Sequence, residues 1–562
     1  MTSQISAQTL RSWLYDGAEL ALLDVREPGQ MIQGHILFSA PLPFSVFEAR
    51  LSTLAPNKNV RMVLCDAGDG VAQRAAVQAS AMGYADVVCL EGGVTSWADA
   101  GHTLYRGVNV PSKAFGELVE HAVDTPRLSC EKIAGMQKDG ANMVIVDGRP
   151  LEEYTKMSIP GASCCPNGEL ALRAASFAPE ADTTIIVNCA GRTRSIIGAQ
   201  TLIDMGIPNP VYAMENGTQG WTLAGMELDS GRIGTLPDIP AELASQRSNA
   251  DALASKHGVE TISGQILNTW LADPNRTVFL LDVRTSDERA GDPETRKSAM
   301  ASHGVVHAPG GQLVQATDQW IGVRNAAVVV LDTEGVRARI TAAWLRRIGH
   351  QAVVLDGGAD ALSDVPVGTH QREWQASALP SIAPDRVQDA LNGGAVLLDL
   401  RSSASYRAGH VQGALWTIRP RLPKIAADGE AILLADDETT AALVAKDLRA
   451  SGASGISQVA GHIDDLRTAD LTIVEIPVPL IYLDEKRSFG GVLDNGETRL
   501  KYYREVLADS IARVGEDLIT QRAARCGQGA SRDTHFGPTA GTRTALEYVV
   551  SVPLCVSQRK QR

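Results

Sequence analysis

The sequence predicts an α/β protein in which several mostly parallel sheets are covered by helices on both faces. Three observations carry this. Leu-Leu-Asp-Val-Arg occurs at residues 22–26 and again at 280–284, with Ile-Val-Asp-Gly-Arg at 145–149 and Leu-Leu-Asp-Leu-Arg at 397–401. The intervals are the size of domains, not of solenoid repeats. Each copy is followed by a second apolar run and then a helix-patterned stretch, and each closes on a third strand that ends at a glycine turn. Strands alternating with helices imply parallel pairing. A chain of 562 residues is also too long for one core and suggests about three to five domains.

Taken in order, each copy opens on a helix-like stretch before its Asp-x-Arg strand: Ser6 to Gly17, Ser129 to Gly140, Ser263 to Pro274 and Ala383 to Gly394. Ser129 and Ser263 are suited to cap these helices, although neither completes a capping box. The second strand is read at Arg61 to Leu64, Thr184 to Asn188, Ala326 to Leu331 and Ala431 to Leu434. Helices follow, clearest at Ile340 to Ile348 and Ala441 to Ala450. The third strand precedes Glu91-Gly92-Gly93, Glu215-Asn216-Gly217, Asp356-Gly357-Gly358 and Gly461, with Trp97 and Trp221 at one offset from the first two turns. Between copies, 107–126 reads as an ordered connector with a short helix. Residues 228–260 and 365–381 read as linkers rich in Ser, Ala, Pro and Gln. Leu500 to Ala523 has the pattern of an amphipathic helix, and 528–562 that of a poorly ordered tail.

The chemistry concentrates in Cys189-Ala190-Gly191-Arg192-Thr193-Arg194-Ser195. A β-branched strand ends at the thiol, and a helix pattern resumes at Ile196. Ligands of parallel sheets gather outside the carboxyl ends of the strands. A helix N-terminus there points free N–H groups at whatever it faces and favours an anion. With Arg192 and Arg194 beside it, the Cys189 thiol is expected to ionise easily, since such settings lower a thiol from ~8.5 into the range ~3.5–7.5. Arginines and a glycine so close to a cysteine have no purpose in a core, so Cys189 reads as a nucleophile. The first copy keeps a thiol in Cys65-Asp66-Ala67-Gly68-Asp69-Gly70, but Asp66 and Asp69 would repel anions and hold that thiol protonated. The third copy has Asp332-Thr333-Glu334-Gly335 and the fourth Asp436-Asp437-Glu438-Thr439, neither with a sulfur.

The Asp-x-Arg strand, the segments Gly34-His35, Ile159-Pro160-Gly161-Ala162 and Gly409-His410, the Cys loop and the Gly-Gly-x-x-x-Trp close together resemble the rhodanese homology domain. The resemblance spans about residues 1–470 as four tandem modules and is strongest in the second. It divides the chain into 1–106 (inactive), 107–236 (active, with Cys189), 245–370 and 376–475 (both without Cys), and an extension at 476–562. It implies sulfurtransferase activity. Cys189 takes the outer sulfur of thiosulfate or a related persulfide donor and passes it to cyanide, a thiol or a sulfur-accepting protein. Ala190 to Ser195 would hold the persulfide, and Arg192 and Arg194 the donor. Relatives that use mercaptopyruvate carry an uncharged loop with Ser or Thr, so the two arginines favour thiosulfate or a persulfide. Two other readings remain: a non-catalytic scaffold or sensor, and a Cys-dependent phosphatase or arsenate reductase. The latter loops place one more residue between Cys and Arg than Ala190, Gly191, Arg192 and Thr193 do here.

Composition narrows the partners. Hydrophobic and charged residues make up 44% and 21% of the chain, ordinary for a globular protein. A net charge of −13 argues against nucleic acid or an anionic membrane as partner. No run approaches the ~18 apolar residues of a membrane span, and no signal-peptide pattern opens the sequence. Eight irregularly spaced cysteines form no disulfide framework, so the expected setting is the reducing cytoplasm. Asp147 and Arg149 recur in copies without a thiol and read as a structural ion pair. Cys164-Cys165, Cys89 and Cys130 read as packing residues, and Cys526 and Cys555 fall in the tail. His35 and His410 lack ligands at metal spacing, so neither a metal nor another cofactor is expected. Glu215 reads as a cap for the Gly217 turn. No phosphate-binding glycine motif is present.

Overall fold

A computed structural model of the chain describes residues 2–367, 374–426 and 429–476. The helix expected at 500–523, the tail at 528–562, Cys526 and Cys555 lie outside the described residues. Four parallel sheets share one strand order, first–fifth–fourth–second–third along the chain. The first has Gln4–Ile5, Val87–Leu90, Met62–Cys65, Leu20–Asp24 and Ala40–Pro41 in that order, and the second Arg127–Leu128, Val211–Met214, Thr184–Asn188, Met143–Asp147 and Ser163–Cys164. The third is Glu260–Ile262, Gln351–Leu355, Ala327–Leu331, Val278–Asp282 and Val306–His307. The fourth is Ser381–Ile382, Gly455–Val459, Glu430–Leu434, Val396–Asp399 and Leu415–Trp416. The two central strands of each sheet are buried on both faces, which is why they read as continuous apolar runs. The chain divides into two compact units, one built around the first and fourth sheets and the other around the second and third.

The repeated Asp-x-Arg closes the second strand of every copy. Arg26, Arg149, Arg284 and Arg401 each bond the carboxylate two residues back through the guanidinium as well as the backbone amide. All eight side chains are buried. In three copies the arginine also donates to a carbonyl eight residues on, at Gly34, Met157 or Gly409. In the third copy Asp292 accepts two bonds in that place, at 2.9 and 2.7 Å. A buried guanidinium so satisfied is tolerable where an unpaired one would not be.

Helix starts follow the sequence where a cap is present. Ser129 accepts from the Lys132 amide and Ser263 from the Ile266 amide, and helices run Cys130–Lys138 and Gly264–Ala272. Three expectations are corrected. The strand read as Arg61 to Leu64 is Met62–Cys65, which moves Cys65 into the sheet. The linker read at 228–260 contains the helix Ala244–Lys256, because Ala250, Leu253 and Ala254 form a narrow apolar face among its serines and asparagines. The short helix of the connector is a full one, Val110–Val123, whose Phe115 packs edge-on to Trp344 at 5.9 Å. These elements join one core in which Ile196 and Leu202 meet Val336, Ile340 and Trp344.

The unit of the first and fourth sheets has its own buried charge cluster. Arg419 reaches Glu48 and Asp447 with both ends of its guanidinium, and Lys446 also bonds Glu48. Burial alone would raise the Glu48 carboxyl, but the bonds and charge of Arg419, with Lys446 behind it, hold it at about 2. The ionised form is therefore favoured on folding. Its stabilisation is whole above the free value of ~4.3 and is lost as pH falls from there towards 2. Glu48→Gln is expected to cost about 3 kcal/mol at pH 7, the usual penalty for stripping one partner from a buried pair. Denaturant unfolding at pH 7 and again at pH 3 checks this, with the gap between variant and parent narrowing at the lower pH.

Candidate active site

The strand Thr184–Asn188 and the helix Thr193–Asp204 frame the Cys189 loop. The helix begins at Thr193, earlier than the Ile196 expected from the pattern, so Arg194 and Ser195 belong to its first turn. Polar residues mask that turn in the sequence, yet Ser195 is buried. The strand end is pinned twice: the Asn188 amide nitrogen donates to Asp147 at 3.1 Å, and its carbonyl accepts from Gly148 N–H at 2.9 Å. The following turn is pinned by Thr218 N–H on the Cys189 carbonyl at 2.8 Å. Gly217 makes this approach possible. Its φ is +54°, and a Cβ there would collide with the Cys189 carbonyl oxygen.

Cys189 lies at the floor of this loop, 2% exposed, beneath half-buried Ala190, Gly191, Arg192, Thr193 and Arg194. The Ser195 hydroxyl donates to its Sγ at 3.0 Å. Among the described residues, no amide from Ala190 to Ser195 donates to a protein acceptor. The loop thus presents a run of N–H groups without a protein acceptor.

The two arginines are not the bare cations the sequence suggested. Arg194 is clamped by Glu153 through two bonds of 2.7 and 2.9 Å. Arg192 is held by Glu117 at 2.8 Å and by Glu120. Both glutamates of the second clamp sit on the connector helix, where Gly116 lets the backbone approach Thr193; a Cβ would lie 2.8 Å from Thr193 Cγ2. Burial opposes the Arg194 charge, which the Glu153 carboxylate and the Cys189 sulfur sustain. Arg149 likewise feels the sulfur's field besides its bonds to Asp147. Glu215 does not cap the Gly217 turn. It bonds Arg127 at 3.1 Å, Arg127 bonds Glu120, and the row ends on Arg192. Sequence reading missed Glu117, Glu120 and Glu153, because each lies far from the loop in the chain. The one available signal was that Glu153 stands four residues beyond the strand arginine, as Glu288 does in the third copy.

Sheet register corrects the alignment of the copies. Asp147 pairs with Asn188, Asp24 with Cys65, Asp282 with Leu331 and Asp399 with Leu434. The residue in the place of Cys189 is therefore Asp66 in the first copy, Asp332 in the third and Ala435 in the fourth. Cys65 is one place short, fully buried in its strand, and burial with Asp24 nearby pushes its thiol far up. Burial also raises Cys165, lifts Cys130 and Cys164 to about 12, and lifts Cys89 to about 11. Cys164 and Cys165 point into different cores. In the first copy the Asp66 carboxylate accepts from the amides of Gly68 and Ala72 at 2.8 and 2.9 Å. In the third, Asp332 accepts from Gly335, Val336 and Ala338 at 3.1, 2.9 and 2.9 Å. Arg337, in the place of Arg194, pairs with Glu288, in the place of Glu153. No group of His, Cys, Asp and Glu among the described residues could hold a metal.

Comparison with known proteins fits this geometry. The family model described as Rhodanese-like domain matches residues 6–100 and 129–224. The crystal structure of a thiosulfate sulfurtransferase from Pseudomonas aeruginosa superposes with a TM-score of 0.80 at 36% identity, over 92% of this chain and 98% of that one. The chain belongs to the rhodanese-like sulfurtransferases. A curated sulfurtransferase of Allochromatium vinosum is 29% identical over 101 residues, 18% of this chain and 92% of its own. The probable adenylyltransferase/sulfurtransferase MoeZ of Mycobacterium tuberculosis is 35% identical over 98 residues, 17% of this chain and 24% of its own. As a sulfurtransferase this chain takes a sulfur donor and an acceptor. No helix among the described residues is long and apolar enough to cross a membrane.

Gly217→Ala tests the turn that seats Cys189 in this sulfurtransferase. A left-handed alanine costs ~1–2 kcal/mol and overpacking a further ~1–3. Urea unfolding is expected to show a loss of at least about 2 kcal/mol, with a matching fall in turnover.

Proposed function

We propose that this sulfurtransferase moves sulfane sulfur from thiosulfate, or from a related persulfide donor, through a persulfide on Cys189. The observation that carries the reading is the carboxylate that replaces Cys189 in two other copies. In aspartate the oxygens stand two bonds from Cβ, as the outer sulfur of a cysteine persulfide does. At Asp66 and Asp332 those oxygens collect the loop amides. The same amides around Cys189 have no protein acceptor among the described residues, and an anionic outer sulfur would give them one. The thiosulfate sulfurtransferase of Pseudomonas aeruginosa, similar along most of this chain, favours thiosulfate as donor.

The chemistry balances without a further oxidant or reductant. The Cys189 thiolate attacks the outer sulfur of thiosulfate. A new S–S bond forms, the old one breaks, and sulfite leaves with the electron pair. Cyanide, a thiolate or a protein thiol then attacks the outer sulfur and restores the Cys189 thiolate. The amides from Ala190 to Ser195 hold the transferred sulfur, and the Ser195 hydroxyl donates to Sγ in the resting state. Arg194 binds the sulfonate end of the donor in competition with Glu153, and Arg192 draws anions from further out. We read the chain as four domains at 1–106, 107–236, 245–370 and 376–475, with the second as the catalytic one; the shared strand order of the four sheets supports this reading. We place the protein in the cytoplasm, where thiol acceptors are reduced.

Cys189→Ser is expected to abolish thiosulfate:cyanide transfer and Cys65→Ser to leave most of it. Mass spectrometry after thiosulfate treatment should find one added sulfur on the Cys189 peptide. No adduct, together with turnover of an aryl phosphate, would overturn the reading. Arg194→Ala should lower kcat/KM for thiosulfate by about 10- to 100-fold, the ~1.5–3 kcal/mol of a lost charged hydrogen bond. If the amides do seat an anion, Cys189→Asp should be inactive yet at least about 1 kcal/mol more stable than Cys189→Ala, measured by denaturant unfolding.

A further inference from the structure

The first copy has Asp66 in the place of Cys189. A cavity of about 280 Å³ opens beside its loop, lined by Arg26, Gln30, Asp69, Arg74 and Arg421 on the polar side. Val71 and Ile418 belong to its apolar side. The reason for the opening lies in the substitutions. Val71 stands where the second copy has Arg194, and Gln30 where it has Glu153, so the ion pair that clamps the catalytic loop is missing. Asp69 replaces Arg192. Asp66 accepts from the amides of Gly68 and Ala72 in the place where the second copy has its thiol.

Positive charge returns from other positions. Arg74 comes from the helix Val71–Ala81, its guanidinium lying 4.6 Å over the Phe44 ring and donating to the Pro420 carbonyl at 3.0 Å. Its only carboxylate among the described residues is Asp447, at 3.7 Å. Arg421 arrives from the fourth copy, exposed, with no ion-pair partner among the described residues. Arg26 is already matched by Asp24. Asp447 is already bonded by Arg419, so Arg74 and Arg421 set against Asp69 leave the lining about one positive charge in excess. The volume falls just under the ~300–1,000 Å³ of clefts for drug-sized ligands.

We propose that this cavity is a non-catalytic binding site for a small organic monoanion, a carboxylate or sulfonate on an apolar body of on the order of ten heavy atoms. The anionic end meets Arg74 and Arg421, and the apolar body lies on Val71 and Ile418. The site is separate from Cys189 and does not depend on the sulfur-transfer mechanism. Full-length Cys189→Ser protein titrated with benzenesulfonate and with benzoate, followed by ligand-observed NMR and calorimetry, tests it, with benzamidine as the cationic control. Saturable binding of an anion, weakened tenfold or more by Arg421→Glu and unchanged by Arg194→Ala, is the expected result. Arg421 is exposed, and an unchanged melting curve shows that the variant folds. Absence of saturable binding, equal binding of benzamidine, or binding lost with Arg194→Ala and kept with Arg421→Glu would each overturn the proposal.

Discussion

The buried Asp-x-Arg pair at the end of each second strand is the constraint on which the other features rest. A parallel sheet must end somewhere, and its last carbonyls and amides need partners once covered by loops. In each copy one carboxylate turns the chain through the amide two residues on, and the arginine fixed beside it reaches a second loop eight residues away. In the second copy the same Asp147 also holds Asn188, the residue before Cys189. Buried Asp147 therefore helps to fix where the Cys189 sulfur stands.

Much of the fold was legible because apolar pattern and short motifs lie close in the chain. The repeated Asp-x-Arg, the glycine turns with Trp97 and Trp221, and the capped helices at Ser129 and Ser263 all follow from neighbouring residues. Register was less legible. A one-residue error at Cys65 matched the wrong residue to Cys189, since a thiol beside a thiol-like loop outweighed the count along the strand. Only the pairing of Asp24 with Cys65 shows that Asp66 is the counterpart. The helix Ala244–Lys256 escaped notice for a related reason: three small or apolar residues suffice to bury one face, and serines dilute the signal.

At the candidate site, the sequence displayed Cys189 and its arginines but not what neutralises them. Glu153 stands some forty residues before Arg194, and Glu117 and Glu120 some seventy before Arg192. Such partners come together only through the sheet order and the long connector helix. Their presence changes the electrostatics from an open cationic cradle to a guarded one. Both arginines are balanced by carboxylates, whereas the amides from Ala190 to Ser195 have no protein acceptor among the described residues.

Aspartate in the place of Cys189 has an electrostatic consequence. In the first and third copies the loop carries its own counter-anion, a carboxylate that accepts from amides of the chain just after it. The second copy, with Cys189 in that place, lacks such an internal partner. Its amides from Ala190 to Ser195 have no protein acceptor among the described residues, so this loop keeps an unfilled place where the other two already hold a carboxylate.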